Sequence, residues 1–361
     1  MIENAAGPSV LITGGAGFIG CALSNLAESS PGRWVAVDSL HPQVHPTKNR
    51  PSALNDRVEL VVADVADAEI WDDLLADVRP SVIIHLAAET GTAQSLFESS
   101  RHAEVNVLGT TRMLDALGRA NQVPERIILS SSRAVYGEGR WARRDGTTFQ
   151  PGQRSHAQLS VGQWDFPEAT PLASSAKSTI PSPTSIYGAT KLAQEHLLSA
   201  WASSHDCELT VLRLQNVYGP GQSLTNPYTG IVSLFSQLAE EKRSIPLYED
   251  GNVVRDFVYI DDVVSAFAAA IPGGRGTGPY DIGSGIPTSL LTLAMTIATY
   301  HSAPEPTVTG EFRDGDVRYA AAKFEPDETG LGWAPKWRLD DGVAKLQEWI
   351  ASQSVRSRPQ G

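Results

Sequence analysis

A short apolar run, Val10-Leu11-Ile12-Thr13, leads directly into Gly14-Gly15-Ala16-Gly17-Phe18-Ile19-Gly20, and a helical pattern then extends from Gly17 to Ser30. Glycines at 14, 17 and 20 across the first strand-to-helix junction predict a phosphate-binding turn. Gly14 permits the tight turn, Gly17 lets the backbone approach a pyrophosphate, and Gly20 lets the helix lie against the strand. The helix N-terminus adds free amides and a positive dipole end. Three glycines alone describe any glycine-rich turn, and it is their place in the first strand–helix unit that gives them weight. The next apolar run, Trp34 to Val37, ends at Asp38, about twenty residues beyond the loop. A carboxylate there accepts the hydroxyls of an adenosine ribose and repels an added 2′-phosphate, which predicts NAD rather than NADP. A helix-capping aspartate is the alternative. Asp64, closing the third run, fits a contact to the adenine amino group, and an ordinary turn residue fits it nearly as well.

The rest of the first half repeats this rhythm. Val58 to Val62, Val82 to Leu86, Arg126 to Leu129 and Leu209 to Leu214 read as strands. Asp67 to Asp77, a long stretch from Ser95 to Asn121, and Ile186 to His205 read as helices. Continuous β-branched runs suit strands covered on both faces, so the class is α/β with a parallel, doubly wound sheet. Gly137 to Pro183 interrupts the pattern, being rich in Gly, Pro, Ser, Thr and Arg with Trp141 and Trp164 embedded. It is expected to be largely structureless and functional, and its tryptophans argue that part of it packs. With Arg143 and Arg144 they fit a segment that folds over a ligand or reaches a neighbouring subunit, and an ordinary surface flap fits them equally well. At roughly 150 residues per domain, 361 residues make two domains or one large unit. The expected division is 1–215, with an insertion at about 138–183, then 216–352 and a tail at 353–361.

Composition removes several classes. Lys+Arg of 29 against Asp+Glu of 41 gives a net charge of −12 with no basic stripe, so neither nucleic acid nor an anionic membrane is an expected partner. Cys21 and Cys207 stand alone, which excludes a disulfide framework and a thiolate zinc site and fits a reducing cytoplasm. His41 and His45 flank Pro42, so no metal pair, and no metal, is expected. Met1 to Ser9 lacks a basic region leading into an apolar stretch, and no run approaches the roughly 18 apolar residues of a spanning helix. A soluble, cytoplasmic protein is expected.

Tyr187-Gly188-Ala189-Thr190-Lys191 is the next signal; alone it would fit an ordinary helix surface, and it gains weight from sharing a chain with the glycine loop. On a helix, residues four apart share a face. An ammonium beside a phenol favours phenolate, so Lys191 is expected to lower the Tyr187 pKa and make it an acid–base group for a sugar hydroxyl. Ser130-Ser131-Ser132 follows a strand, at the edge where open α/β sheets bind ligands. Ser132 is placed to bond the reacting oxygen, whereas Ser131 suits a capping role.

With these pieces in hand, the chain resembles the extended short-chain dehydrogenase/reductases that act on nucleotide sugars. The resemblance rests on Thr13–Gly20, His85-Leu86-Ala87-Ala88, Asn106 with Gly109-Thr110, Ser130–Gly137, Tyr187–Lys191, Arg213–Gly219 and Arg255-Asp256-Phe257-Val258-Tyr259-Ile260-Asp261-Asp262. It implies a Rossmann-type sheet with a smaller C-terminal substrate domain, a Ser132, Tyr187 and Lys191 triad, and NAD as cofactor. By the same resemblance the cofactor contacts are Gly14, Gly17, Phe18, Ile19, Gly20, Asp38, Asp64, Val65, Leu86, Ala87, Ala88, Asn106 and Ser130, with Tyr187 and Lys191. Glu89, Thr90, Ser132, Arg133, Asn216 and Arg255 are implied on the nucleotide-sugar side, with Arg313 as a second diphosphate cation. A salt bridge to Asp256 or Asp261 is the plain alternative for Arg255. A homodimer through the Ser95–Asn121 and Tyr187–His205 helices is a further implication.

Sugar 4,6-dehydratases of this family carry Asp-Glu after the triad hydroxyl, where this chain has Arg133-Ala134. The Cys/His pair of epimerase–reductases is also missing, which leaves oxidation and reduction at C4. Ala87–Ser95, Ser131–Gly139 and Arg213–Gly221, together with the long insertion, resemble the subgroup containing dTDP-L-rhamnose 4-epimerases and dTDP-4-keto-6-deoxyhexose reductases. A 4-epimerase working through a transient 4-keto sugar is the expected activity. The alternatives are an NAD(P)H-dependent 4-ketoreductase and, from another class, a non-catalytic NAD-sensing module.

Overall fold

A computed structural model of the chain describes residues 7–224, 230–273, 278–324 and 330–356. Residues 1–6 of the N-terminal segment and 357–361 of the expected tail lie outside the described residues. The start of that tail is helical, since the last helix is Leu339–Arg356.

Seven strands form one sheet, in the order Tyr280–Ile282, Glu208–Leu214, Arg126–Ser132, Val82–His85, Val10–Thr13, Trp34–Asp38 and Val58–Val62. Every pairing in it is parallel. Successive side chains point to opposite faces, and both faces are covered. On one side Val10, Ile12, Ala36, Ile84 and Ile128 pack with Leu23 of Phe18–Ser24 and with Val263 and Phe267 of Ile260–Ala270. On the other, Leu11, Val35, Ile83 and Ile127 pack with Trp71 and Leu75 of Glu69–Val78, Leu117 of Gly109–Arg119 and Leu198 of Ile186–His205. Each buried Val, Leu, Ile or Phe among them contributes roughly 1.5–3 kcal/mol. The strand order reverses beside Val10–Thr13, so a crevice opens past its carboxyl end.

A third core, including Tyr218, Phe235, Leu247, Phe257 and Leu293, organises the C-terminal region around Asn216–Tyr218 paired with Val254–Tyr259. Pro287–Ser289 and Tyr319–Ala320 add to the latter strand. The expected cut at 215/216 is therefore not a single one: Ile260–Ala270 and Tyr280–Ile282 return to the main sheet.

Two expectations change. The stretch read as one helix from Ser95 to Asn121 is one continuous helix over Ser99–Arg119, widened to a π-helical stretch at Ala103–Leu108, and a turn at 96–98 separates it from the short helix Thr92–Ser95. Its hydrophobic periodicity is real, but buried Asn106 in the wide turn bonds inward rather than continuing an even helix. The first helix likewise stops at Ser24 and tightens to a 3₁₀ turn over Asn25–Ser29.

The interruption at 137–183 is also not structureless. Arg140–Arg143 pairs antiparallel with Thr148–Phe149 on one side and Ala169–Leu172 on the other, and His156–Ser160 is helical. Asp145 turns the hairpin by accepting the Thr147 amide at 2.9 Å. Trp141 is wholly buried, donates to the Glu138 carbonyl at 3.1 Å and meets the Phe166 ring edge-on at 4.9 Å. A fixed aromatic core needs only one such residue, and composition alone hides it.

Candidate active site

The glycine turn is built as its spacing requires. Gly14 has φ +67°, and a Cβ on it would stand 2.8 Å from the Ala87 amide nitrogen. A Cβ on Gly20 would stand 2.5 Å from the Gly15 carbonyl oxygen. At Gly17 a Cβ meets protein only at the Gly14 oxygen, 3.4 Å away, so that side of the turn faces open space. Gly17 opens the Phe18–Ser24 helix with no side-chain cap, which leaves its first amides for an anion. Gly15, not singled out by spacing, is also restricted: a Cβ there would press on Ala36 at 2.6 Å. Asp38 accepts the Ala16 amide at 3.0 Å and the Leu40 amide at 2.9 Å. Each of its oxygens keeps lone pairs for a hydroxyl. Asp64 accepts the Ala66 amide at 2.9 Å through one oxygen, which is turn chemistry.

Ser132 ends its strand with its hydroxyl accepting the Ala134 amide at 3.1 Å. Ser185 caps the Ile186–His205 helix, which presents Tyr187 to Ser132 as a hydrogen-bond partner. Burial pushes the Tyr187 phenol up, while the Ser132 hydroxyl and the Arg133 guanidinium pull it back. Lys191 is not the acidifying neighbour expected of it. It is buried, its ammonium is pushed down to about 7 by that burial, and it donates to the Gln194 carbonyl oxygen. Gln194 in turn reaches Thr110 at 2.9 Å and His85 at 3.1 Å, and His85 meets Thr13 at 2.7 Å. A buried polar chain thus runs from Lys191 to the strand that carries the glycine turn. Ser131, by contrast, is spent on Glu195.

Beyond Tyr187 a small cavity is lined by Thr92, Arg133, Thr184, Ser185, Arg255 and Asp316, among others. Arg133 donates to the Asn216 side-chain oxygen at 3.0 Å, and Arg255 to the Val254 carbonyl at 2.8 Å. Among the described residues neither arginine closes an ion pair with a carboxylate. Asp256 is instead taken by Ser284, Gly285 and Ala322, which removes the plain alternative for Arg255. Burial and the facing guanidinium both disfavour the Arg133 charge, and burial disfavours that of Arg255. Two guanidinium forks set this way can bond the oxygens of a multiply charged anion.

A family model described as the NAD dependent epimerase/dehydratase family matches residues 10–283. The chain belongs to that family. Among curated relatives, dTDP-L-rhamnose 4-epimerase of Burkholderia thailandensis is 58% identical over 351 residues, 97% of each chain. UDP-glucose 4-epimerase of Mycolicibacterium smegmatis is 32% identical over 95% of this chain and 99% of that one. The structure superposes on the Thermotoga maritima UDP-glucose 4-epimerase, solved with UDP-glucose, with TM-score 0.79 at 27% identity, covering 96% of this chain and 99% of that one. The Thermus thermophilus UDP-glucose 4-epimerase, solved with NAD, gives TM-score 0.75 at 25% identity over 95% and 98% of the two chains. The protein is an NAD-dependent enzyme of the epimerase/dehydratase family, and its glycine turn, uncapped helix start and Asp38 fit that cofactor.

Other residues expected at the site fall unevenly in this epimerase/dehydratase frame. Ala87 packs under Gly14, Leu86 against the core, and Ala88, in the loop after Val82–His85, and Ser130, within Arg126–Ser132, lie half-buried. Val65 is buried beside Gly109, and Phe18 and Ile19 pack toward the C-terminal core. Asn106 spends its side chain on both backbone groups of Glu89 and on Thr190, at 2.7, 3.0 and 2.9 Å, so it fixes the 87–91 loop rather than facing a ligand. Glu89 pairs with Arg101, and Thr90 offers its carbonyl to His102. Arg313 is exposed, lies over the Tyr248 ring at 4.9 Å, and is not among the residues lining the cavity. Trp141, Arg143 and Arg144 do not cover the site either: the first is interior, the second sits over Phe149, and the third pairs with Glu168 at the surface. The fold adds Thr92, Thr184, Asp316 and Gln194 to the site. Of these, Asp316 alone carries a sequence signal, lying in Arg313-Asp314-Gly315-Asp316.

Proposed function

We propose that this enzyme inverts C4 of dTDP-L-rhamnose or a closely related dTDP-6-deoxyhexose through a transient 4-keto sugar. The observation that carries this is the 58% identity, across 97% of both chains, to a dTDP-L-rhamnose 4-epimerase. NAD, when bound, supplies the hydride acceptor and donor for C4. Tyr187 would take the proton of the 4-hydroxyl during oxidation as a phenolate, the form that the positive charge of bound NAD+ favours, and would return it during reduction, so it is restored in each cycle. Ser132, bonded to the phenol, holds the reacting oxygen, and Lys191 orients the cofactor side. Arg133, Arg255 and Asn216 anchor the diphosphate while the hexose turns. Residues 1–215 hold mainly NAD and 216–352 mainly the nucleotide sugar.

The protein reads further as a cytoplasmic homodimer of deoxysugar biosynthesis. Two buried thiols, Cys21 and Cys207, suit a reducing compartment. Among the described residues no helix is long and apolar enough to cross a membrane. Exposed Leu96, Phe97 and Leu108 on the broken helical stretch support self-association.

The test is proton NMR of purified protein with dTDP-L-rhamnose and no added reductant. Inversion at C4 is expected. Conversion only of a 4-keto sugar, with one NAD(P)H consumed per turnover, would establish the reductase instead.

A further inference from the structure

Arg154 is a central tie between the segment 138–183 and the substrate side, beside Asp165 on Arg318 and the Ser174 backbone on Ala321 and Lys323. It is wholly buried and uses all five of its N–H donors. Two go to the Glu249 carboxylate at 2.8 Å each and one to Glu138 at 3.2 Å. The others go to the carbonyls of Trp164 at 3.0 Å and Asp316 at 2.7 Å. Glu138 belongs to the stretch that begins with Ser132, and its other oxygen accepts the Arg318 amide at 3.0 Å. The peptide groups on both sides of Val317, a residue lining the anion cavity, are therefore held from the insertion side. The Arg318 carbonyl then accepts the Val254 amide at 3.0 Å, next to Arg255. Arg318 also reaches Glu249 at 3.1 Å, Asp250 at 2.7 Å and Asp165 at 2.8 Å. The charges facing Arg255 include Asp316, Glu138, Glu249 and Arg154 itself.

We propose that Arg154 is a positioning residue for the diphosphate receptor: it fixes the 316–318 wall and, through it, the strand register of Arg255. The insertion is thus a clasp rather than a lid. A clasp suits a reaction in which the sugar must turn while its anionic anchor stays still. The inference rests on the diphosphate reading of Arg133 and Arg255, and its test separates the two.

Arg154→Met, Arg154→Lys, Glu249→Gln and Arg255→Met are compared as holoenzymes for kcat, KM, dTDP affinity and retained NAD. Arg154→Met is expected to raise KM and the dTDP Kd by tenfold or more, with kcat within about threefold and NAD content unchanged, because the triad and the glycine turn are untouched. Arg154→Lys should recover part of the loss, since it keeps the charge and not the fork. If Arg154→Met does not fold, Glu249→Gln decides, with a smaller rise in KM at unchanged NAD content expected. Unchanged KM and dTDP affinity in the folded variants, or a parallel fall of kcat and NAD content, would overturn the proposal. If Arg255→Met binds dTDP as well as the parent does, the diphosphate reading itself fails.

Discussion

Tyr187 shares its hydroxyl environment with Ser132 and Arg133, while Lys191 is occupied by Gln194. In the free protein the phenol is therefore protonated near neutral pH, since burial dominates its environment. Tyr187→Phe removes the proton carrier at the sugar oxygen while keeping the ring. It should lower kcat by roughly 10²–10⁴-fold with bound NAD retained. Full loss of NAD binding would mean the residue is structural, and unchanged turnover would support the sensing-module reading. His85 gives a stability prediction. Burial, and secondarily the Lys191 charge, push its imidazole down to about 3. Between that value and an unfolded pKa of about 6.5 the unfolded chain binds the extra proton. The contribution is therefore complete above about pH 6.5 and is lost as pH falls toward 3. His85→Gln, which cannot charge, should show a flatter fall in Tm across that window than the parent, and an identical profile would contradict the assignment.

At the scale of elements, the glycine turn and the following helices separate two uses of the same residue. Gly14 has positive φ and no room for a Cβ. Gly14→Ala should cost at least about 1–2 kcal/mol from the left-handed backbone alone and release NAD on purification. Gly118 lies on the exposed side of Gly109–Arg119, and a methyl group added to it would meet no atom within 4 Å. There Gly118→Ala should stabilise by about 0.5–1 kcal/mol, read as a higher Tm with kcat unchanged. The Ile186–His205 helix links the scales. Its N-terminal turn carries Tyr187, its middle Lys191 and Gln194, and one turn on Glu195 holds Arg213 by two bonds at 3.0 and 2.6 Å. That pairing fixes the helix against the Glu208–Leu214 strand, and so fixes where the phenol stands.

For the whole molecule, Phe97 is 87% exposed beside half-exposed Leu96. A large apolar ring in that position suits burial between copies rather than contact with water. Phe97→Glu should turn a dimer into a monomer by light scattering at micromolar concentration while leaving the fold by circular dichroism intact. A parent chain that is already monomeric would remove the dimer reading. The chain carries a net charge of −12, and Arg133 and Arg255, which form no ion pair among the described residues, line a cavity together with Asp316, an arrangement that suits an anion held inside rather than at the surface.

Whatever depends on short spacing was legible from the chain alone. The Gly14–Gly20 turn, the strand runs, the parallel class, Asp38, and Tyr187 with Lys191 on one helix all follow from local periodicity and local sterics, which act over a few residues. The resemblance carried by those motifs pointed to the right family and to NAD. The tertiary structure alone decided which partners buried charges take, because those partners are far apart in sequence. Arg133 meets Asn216 across 83 positions, and Arg154 meets Glu249 across 95. The same distance explains why Gln194, which holds Lys191 from three positions along the helix, reaches His85 across 109 positions, and why Arg313 stacks on Tyr248; the sheet around Trp141 is local, and its glycine-, proline- and serine-rich composition hides it. A guanidinium or an indole states its need for partners in the sequence, but the fold determines which groups can reach it without water.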